Sequence, residues 1–141
     1  MSEAKEAVEN FLGKYTGLRY LKKVTIPKDA QRRYFEGVDG RKVVCDSEHL
    51  MLSGYLQNGE ACVMKLATTL WMQDLRERGI RFCLVNFVHD EWQTEVEDIG
   101  GLPDIVGKAQ VAAIKEAGEL LSLNAPLDGE YKIGDNWCDT H

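Results

Sequence analysis

An α+β fold, with an antiparallel hairpin packed by helices, is predicted by three stretches of this 141-residue sequence. The first is residues 81–97, RFCLVNFVHDEWQTEVE. Phe82, Cys83, Leu84, Val85, Phe87 and Val88 form an apolar run broken only by Asn86, the pattern of a strand buried on both faces. Trp92, Thr94 and Val96 then alternate with Gln93, Glu95 and Glu97, the period-two pattern of a strand with one wet face. Two strands this close in sequence pair as an antiparallel hairpin, which lifts His89, Asp90 and Glu91 out of the apolar layer at its tip. The second stretch is residues 60–78, where Val63, Leu66, Ala67 and Leu70 recur at the helical period and Met64 and Trp71 widen the stripe. This helix is placed to cover one face of the hairpin. The third is Val38-Asp39-Gly40, where Asp-Gly between short runs at 34–37 and 41–45 signals a second, smaller hairpin.

The remaining elements follow from helix spacing and its punctuation. Ala4, Ala7, Val8, Phe11 and Leu12 share one side of a short helix behind Ser2, with Gly13 as its stop signal. Residues 15–23 begin another, with Leu18 and Leu21 on one side and Arg19, Lys22 and Lys23 elsewhere around it, until Pro27 interrupts it. Thr25 as cap and Pro27 in the first turn allow a further helical turn through Arg32. Ser47, Glu48 and His49 open a helical stretch that Gly54 and Gly59 are expected to break before residue 60. Gly79, after a polar last turn containing Arg76 and Arg78, ends the longer helix. After the hairpin, Gly100, Gly101 and Pro103 start a helix with Asp104 in its first turn and Val106, Ala109, Ala113, Ala117 and Leu120 turned inward. Residues 127–133 read as a final strand, and Trp137 as the anchor of a short tail.

Composition bounds the reading. With 44% hydrophobic residues the chain is long enough for one domain with a real core and too short to suggest two, so residues 1–141 are read as a single segment. No apolar run has membrane-spanning length and the N-terminus lacks the regions of a signal peptide, which points to the cytoplasm without a membrane. Cys45, Cys62, Cys83 and Cys138 are scattered without a CxxC pair, so neither a zinc site nor a disulfide framework is suggested. The net charge of -6 argues against a general nucleic-acid coat, but it is unevenly spread. Residues 14–42 hold nine Lys or Arg against three acids, whereas residues 89–141 hold three Lys against twelve acids. Solvated surfaces account for such a division, and so does a phosphate-facing stretch joined to a cation-binding one.

The chemistry lies at the hairpin tip. Mg²⁺ is a hard cation that requires oxygen ligands held rigidly, and a hairpin tip supplies them at little entropic cost. Adjacent strand positions point opposite ways, so one of Asp90 and Glu91 can ligate directly while the other acts at longer range or through water. His89 can then donate a hydrogen bond to a phosphate or sugar.

Val88-His89-Asp90-Glu91 resembles motif C of the A-family DNA polymerases of bacteria and their phages, in which the aspartate binds catalytic metal in the palm. Other pieces fall in the same order. Gly37-Val38-Asp39-Gly40-Arg41-Lys42-Val43 resembles that family's Asp-Gly-Arg hairpin, Leu56-Gln57 the stretch whose glutamine reads the minor groove, and Gly134-Asp135-Asn136-Trp137 with His141 the Asn-Trp and terminal His. The short connection from Arg41 through Ser47, His49 and Leu52 to Gln57 is closer to the phage branch. The resemblance runs from about Ala4 to the end of the chain. Ser53 departs from the usual asparagine, and Trp92 from the usual aliphatic residue.

The resemblance implies a C-terminal palm and fingers-end fragment of a DNA-directed DNA polymerase, a nucleotidyltransferase of DNA replication. Asp90 and Glu91 would bind metal in a two-Mg²⁺ site, His89 would contact the primer terminus, and Gln57 would check base-pair shape in primer-template DNA. Arg41 is read either as a DNA-backbone contact or as a turn flank, and His49 either as such a contact or as a helix-end residue. The motif A aspartate and the Arg, Lys and Tyr helix that holds the dNTP are missing. Two-metal chemistry needs ligands on both sides of the reacting phosphate, so a larger partner chain is expected to supply them. This is the reading of a naturally split, phage-type enzyme in the bacterial cytoplasm, with the sequence starting at Met1 just after the nucleotide helix. A non-catalytic DNA- or protein-binding module is the alternative. Unrelated metal-dependent hydrolysis ranks last, because His49 and His141 are poorly spaced as further ligands.

Overall fold

The computed structural model describes residues 3–140. Its elements are α1 (Glu3–Lys14), α2 (Thr16–Tyr20), a π-helical turn (Leu21–Thr25), α3 (Ile26–Arg32), β1 (Tyr34–Glu36), β2 (Lys42–Val44), α4 (Glu48–Glu77), β3 (Cys83–Val88), β4 (Glu91–Glu95), α5 (Leu102–Leu120) and α6 (Trp137–Thr140). Helices and small antiparallel hairpins make this an α+β fold, as the patterning predicts. The chain divides into two compact units, one ending at Asn58 and one starting at Gly59, and α4 contributes residues to each.

The first unit is built around the small hairpin. β1 and β2 pair antiparallel with Phe35 opposite Val43. Gly40 takes a φ of 77° in the connection, the left-handed conformation that glycine adopts without steric cost. Phe35, Ile26 and Met51 form the core, with Leu21, Val43 and Tyr55 against it. Phe35 stacks on Tyr55 at 4.2 Å between centroids. The Tyr55 hydroxyl donates to the buried Asp29 carboxylate, and burial together with that bond holds the phenol well above its ordinary range.

Several expectations for this unit are corrected. Pro27 does not interrupt the helical path. The π-helical turn just before α3 changes the hydrogen-bond spacing there, and Pro27 occupies the first turn of α3, where its missing N–H costs nothing. Thr25 is no cap, for its backbone is already helical and its side chain makes no capping bond. The inward stripe expected for α1 is buried only at Leu12, while Val8 and Phe11 stay exposed. Gly13 lies within α1, and the expected cap Ser2 lies outside the described residues.

Gly54 and Gly59 do not break α4, which runs unbroken for 30 residues. Each glycine costs a helix about 1 kcal/mol, too little to outweigh the tertiary packing along it. Gly54 also has a packing reason, since a Cβ there would lie 3.1 Å from the Phe35 ring. Gly59 faces open space.

In the second unit the residues of α4 beyond Gly59 and those of α5 sandwich a core of Val63, Ala67, Trp71, Leu75, Val106, Ala109, Ala113 and Ala117. Trp71 is fully buried and Met64 nearly so, as their spacing predicts. Leu120 is exposed rather than inward, and Gly118 and Leu121 line that end of α5 instead. Residues 127–133 form no strand. They run alongside α5, seated on its small residues, Leu127 over Gly118 and Tyr131 over Gly107, and the Tyr131 hydroxyl donates to Asp104. Trp137 is half exposed in α6, so it does not anchor the tail by burial.

Two substitutions separate these packing roles in denaturant unfolding. Gly107→Ala drives a methyl into the Tyr131 ring and should destabilise by about 1–3 kcal/mol. Gly59→Ala should stabilise by about 0.5–1 kcal/mol, because it fills only solvent and stiffens the unfolded chain.

Asp104 makes this packing sensitive to pH. Hydrogen bonds from Lys108 first, and from Tyr131 second, hold its carboxyl below the usual carboxylate range. A group whose folded value is depressed stabilises above its unfolded value and loses that contribution as pH falls through the folded one. On acidification from neutral pH the Tyr131 resonances should therefore shift only below about 3.9, the ordinary aspartate value, when followed by NMR. Movement near neutrality would contradict the assignment.

Candidate active site

β3 and β4 pair antiparallel, with Leu84 opposite Thr94, Phe87 opposite Trp92 and Val88 opposite Glu91. His89 and Asp90 alone connect the strands. The register shifts between Leu84 and Asn86, so Val85 sits in a bulge. The Asn86 side-chain oxygen accepts the Phe87 backbone N–H beside it, at 2.9 Å. A bulge bends its strand and re-aims the residues beyond it, here the last ones before the turn.

The hairpin is gripped from one side. Trp71 packs against Phe82 at 5.0 Å and Trp92 at 5.9 Å between ring centroids. The Trp92 indole N–H donates to Thr68 Oγ1 at 2.9 Å, and Gln110 of α5 donates to Thr94 Oγ1 at 2.8 Å. Trp92, the departure from the family pattern, is thus a strut between hairpin and α4. The opposite face, which carries Cys83 and Val88, is open, with Val88 47% exposed, while Phe87 shares the face of Trp92 at 6.1 Å between ring centroids. The expectation that β3 is buried on both faces is therefore corrected. A two-stranded sheet with helices on one side covers only Phe82 and Leu84, and the apolar run keeps an uncovered face.

His89 has a φ of 53°. Few non-glycine residues accept that region, and a side chain held there costs on the order of 1–2 kcal/mol. A two-residue connection between antiparallel strands calls for a positive φ, and His89 supplies it at an exposed polar tip. Asp90 is exposed beside it, and Glu91 is half-buried as the first residue of β4.

Gln93 lies two residues on, hence on the same face as Glu91. Its Nε2 donates to Glu91 Oε1, and its Oε1 accepts from Thr140 Oγ1 of α6 at 3.3 Å. The carboxylate is thus oriented through Gln93 by the tail of the chain. Gln93 and Thr140 were not anticipated as site residues. Period two could have placed Gln93 beside Glu91, but no sequence signal joins Thr140 to them.

The structure thus brings His89, Asp90 and Glu91 together at one turn. Carboxylate oxygens suit a hard divalent cation, but two carboxylates fall short of its six ligands. Among the described residues no group of three or more His, Cys, Asp or Glu is placed to hold a metal ion.

Arg41, His49 and Gln57 belong to the first unit. Arg41 directs both its backbone N–H and its Nε to Asp39, so it braces its own turn. His49 is exposed in the first turn of α4, on a cavity of about 530 Å³ that it lines with Lys22, Ile26, Ser47, Glu48 and Leu52. Gln57 is exposed further along the same helix. His141 lies outside the described residues.

No family model matches the chain. Known proteins do. The DNA-directed DNA polymerase of Enterobacteria phage T3 is 32% identical over 117 residues, which is 79% of this chain and 16% of the phage protein. That of Escherichia phage T7 is 32% identical over 119 residues, again 79% of this chain and 16% of the relative. DNA polymerase I of Aquifex aeolicus is 29% identical over 100 residues, 70% of this chain and 17% of the relative. The chain therefore spans about a sixth of the length of these relatives. In fold it is similar to the POL domain of Pol1 from M. smegmatis, solved in complex with DNA primer-template and dNTP, with a TM-score of 0.70 and 21% identity over 82% of this chain and 22% of that one.

If the turn serves function rather than folding, its residues should be dispensable for stability. Asp90→Asn should change unfolding free energy by less than about 0.5 kcal/mol. His89→Gly should leave it unchanged or raise it by up to about 1–2 kcal/mol by releasing the left-handed strain. A marked loss in either variant would assign the turn a structural role.

Proposed function

This chain is homologous to the A-family DNA polymerases, and from that premise we propose that it supplies the motif C half of a nucleotidyl-transfer site to a DNA polymerase completed by a larger chain. The observation that carries the proposal is the pair of carboxylates at the tip of a braced hairpin, Asp90 in its strained two-residue turn and Glu91 opening β4. Three further features support it. The donor set at the turn is chemically right for Mg²⁺ but too small, the face of β3 through Cys83 and Val88 is uncovered, and the chain matches only a sixth of its relatives' length. Both units are read as one polymerase segment, of phage type, acting in the bacterial cytoplasm.

In this reading Asp90 holds the Mg²⁺ ions directly. Glu91 supports the site from the half-buried position that Gln93 fixes, with one oxygen already accepting from that amide. The bound cations would neutralise charge developing on the transferred phosphoryl group. His89 donates a hydrogen bond to the primer terminus from its fixed backbone. Gln57 contacts the minor-groove acceptors that every correct base pair presents alike, which suits an enzyme that copies any sequence. His49 and Arg41 contact the DNA backbone, Arg41 through guanidinium donors other than the Nε it gives to Asp39. The larger chain provides the motif A aspartate, the dNTP-binding helix and the remaining cation ligands.

The test is primer extension with Mg²⁺ by this chain purified together with the proteins encoded beside it. The complex should extend a primer and the isolated chain should not. Asp90→Ala should reduce extension at least about a hundredfold, the scale on which a preorganised electrostatic contact contributes. Extension that ignores Asp90 would leave the chain a non-catalytic, DNA- or protein-binding derivative of a polymerase.

A further inference from the structure

The basic stretch of residues 14–42 is only partly used by the polymerase reading, which draws on Arg41 alone. Within it, the start of α2 and the π-helical turn beyond it present aromatic and cationic groups together. Phe11 of α1 and Tyr15 lie 4.9 Å apart between ring centroids, tilted 48°, and both are exposed, at 53% and 55%. Two aromatic rings held together in water forgo burial that either could find in a core. One helical turn on, Arg19 donates its backbone N–H to the Tyr15 carbonyl, and Lys22 and Lys23 come a further turn along. All three cations are exposed. Lys23 hydrogen-bonds the Glu9 carboxylate, and the charges of Arg19 and Lys22 add to that bond in holding the carboxyl below its usual range. Lys23 is thus paired with Glu9, and Arg19 and Lys22 are left without a direct carboxylate partner among the described residues.

Paired rings beside a surplus of positive charge form a stacking platform next to a phosphate track. We propose that this face of the first unit binds single-stranded nucleic acid, with bases stacking on Tyr15 and Phe11 and phosphates lying along Arg19 and Lys22. A purely apolar protein partner fits less well, because docking would strip water from the cations beside the rings. A duplex fits less well too, since its bases already stack on one another and leave the rings unused. The proposal is independent of catalysis at the hairpin and stands whether or not Asp90 supports extension.

The experiment is fluorescence anisotropy of a labelled oligothymidylate of about twenty nucleotides, longer than the site of a single binding fold, titrated with the full chain at two salt concentrations, with a duplex of equal length as comparison. Binding should be tighter for the single strand and should weaken as salt rises. Tyr15→Ala should weaken it about tenfold and Tyr15→Trp should restore it. R19E/K22E should weaken binding and flatten its salt dependence. Glu9→Gln should tighten binding severalfold, a gain that misfolding cannot produce. The proposal is overturned by absence of binding, by equal affinity for duplex, by indifference to Tyr15→Ala, or by weaker binding in Glu9→Gln.

Discussion

The second unit depends on how Trp71 is surrounded. Its ring is completely buried, with Phe82 and Trp92 on the hairpin side, and the small residues Ala109, Ala113 and Ala117 let α5 approach the same core. That arrangement fixes where β3 and β4 sit relative to α4 and α5, and therefore where the turn at His89 and Asp90 emerges. A two-stranded hairpin alone in water is marginal at best. This one is held by a bulky aromatic core and by the hydrogen bonds of Trp92 and Gln110. A connection of only two residues, one of them strained, persists because the strands on either side are held so firmly.

Firm support beneath an exposed acidic tip separates stability from chemistry. The groups that hold the hairpin lie on its helix-facing side, whereas Asp90 and His89 lie at the tip and touch none of that core. Glu91 stands between the two regimes, joined through Gln93 to Thr140 near the end of the chain. The uncovered side of β3 has the opposite character. Val88 on that face and the bulged Val85 are apolar and wet, which is costly for a site that acts alone and natural for one that another polypeptide covers.

Much of this was legible in the sequence where local pattern and long-range packing agree. The Asp-Gly hairpin, the apolar stripe through Ala67 and Trp71 and the turn at His89-Asp90 obey rules set by neighbours within a few residues. The misreadings share the opposite cause. Gly54 looks like a helix breaker until Phe35 is seen lying against it, and Pro27 looks like an interruption until the π-helical turn before it is known. The apolar run of β3 reads as a doubly covered strand because apolar character records what a residue prefers to touch, not what is present to touch it. Residues 127–133 alternate like a strand, yet the alternation records contacts with the small residues of α5 and no partner strand. Thr140 carried no signal at all, because its hydrogen bond to Gln93 spans 47 residues.

The central claim is that the turn offers a cation part of a coordination shell which another chain completes. Mn²⁺ can stand in for Mg²⁺ and broadens the NMR signals of nearby amides. Titrated into the isotope-labelled chain, it should broaden His89, Asp90 and Glu91 before any other amides, only weakly in isolation and at far lower concentration once the larger polymerase chain is added. Broadening that begins elsewhere, or that is equally tight without the second chain, would contradict the account.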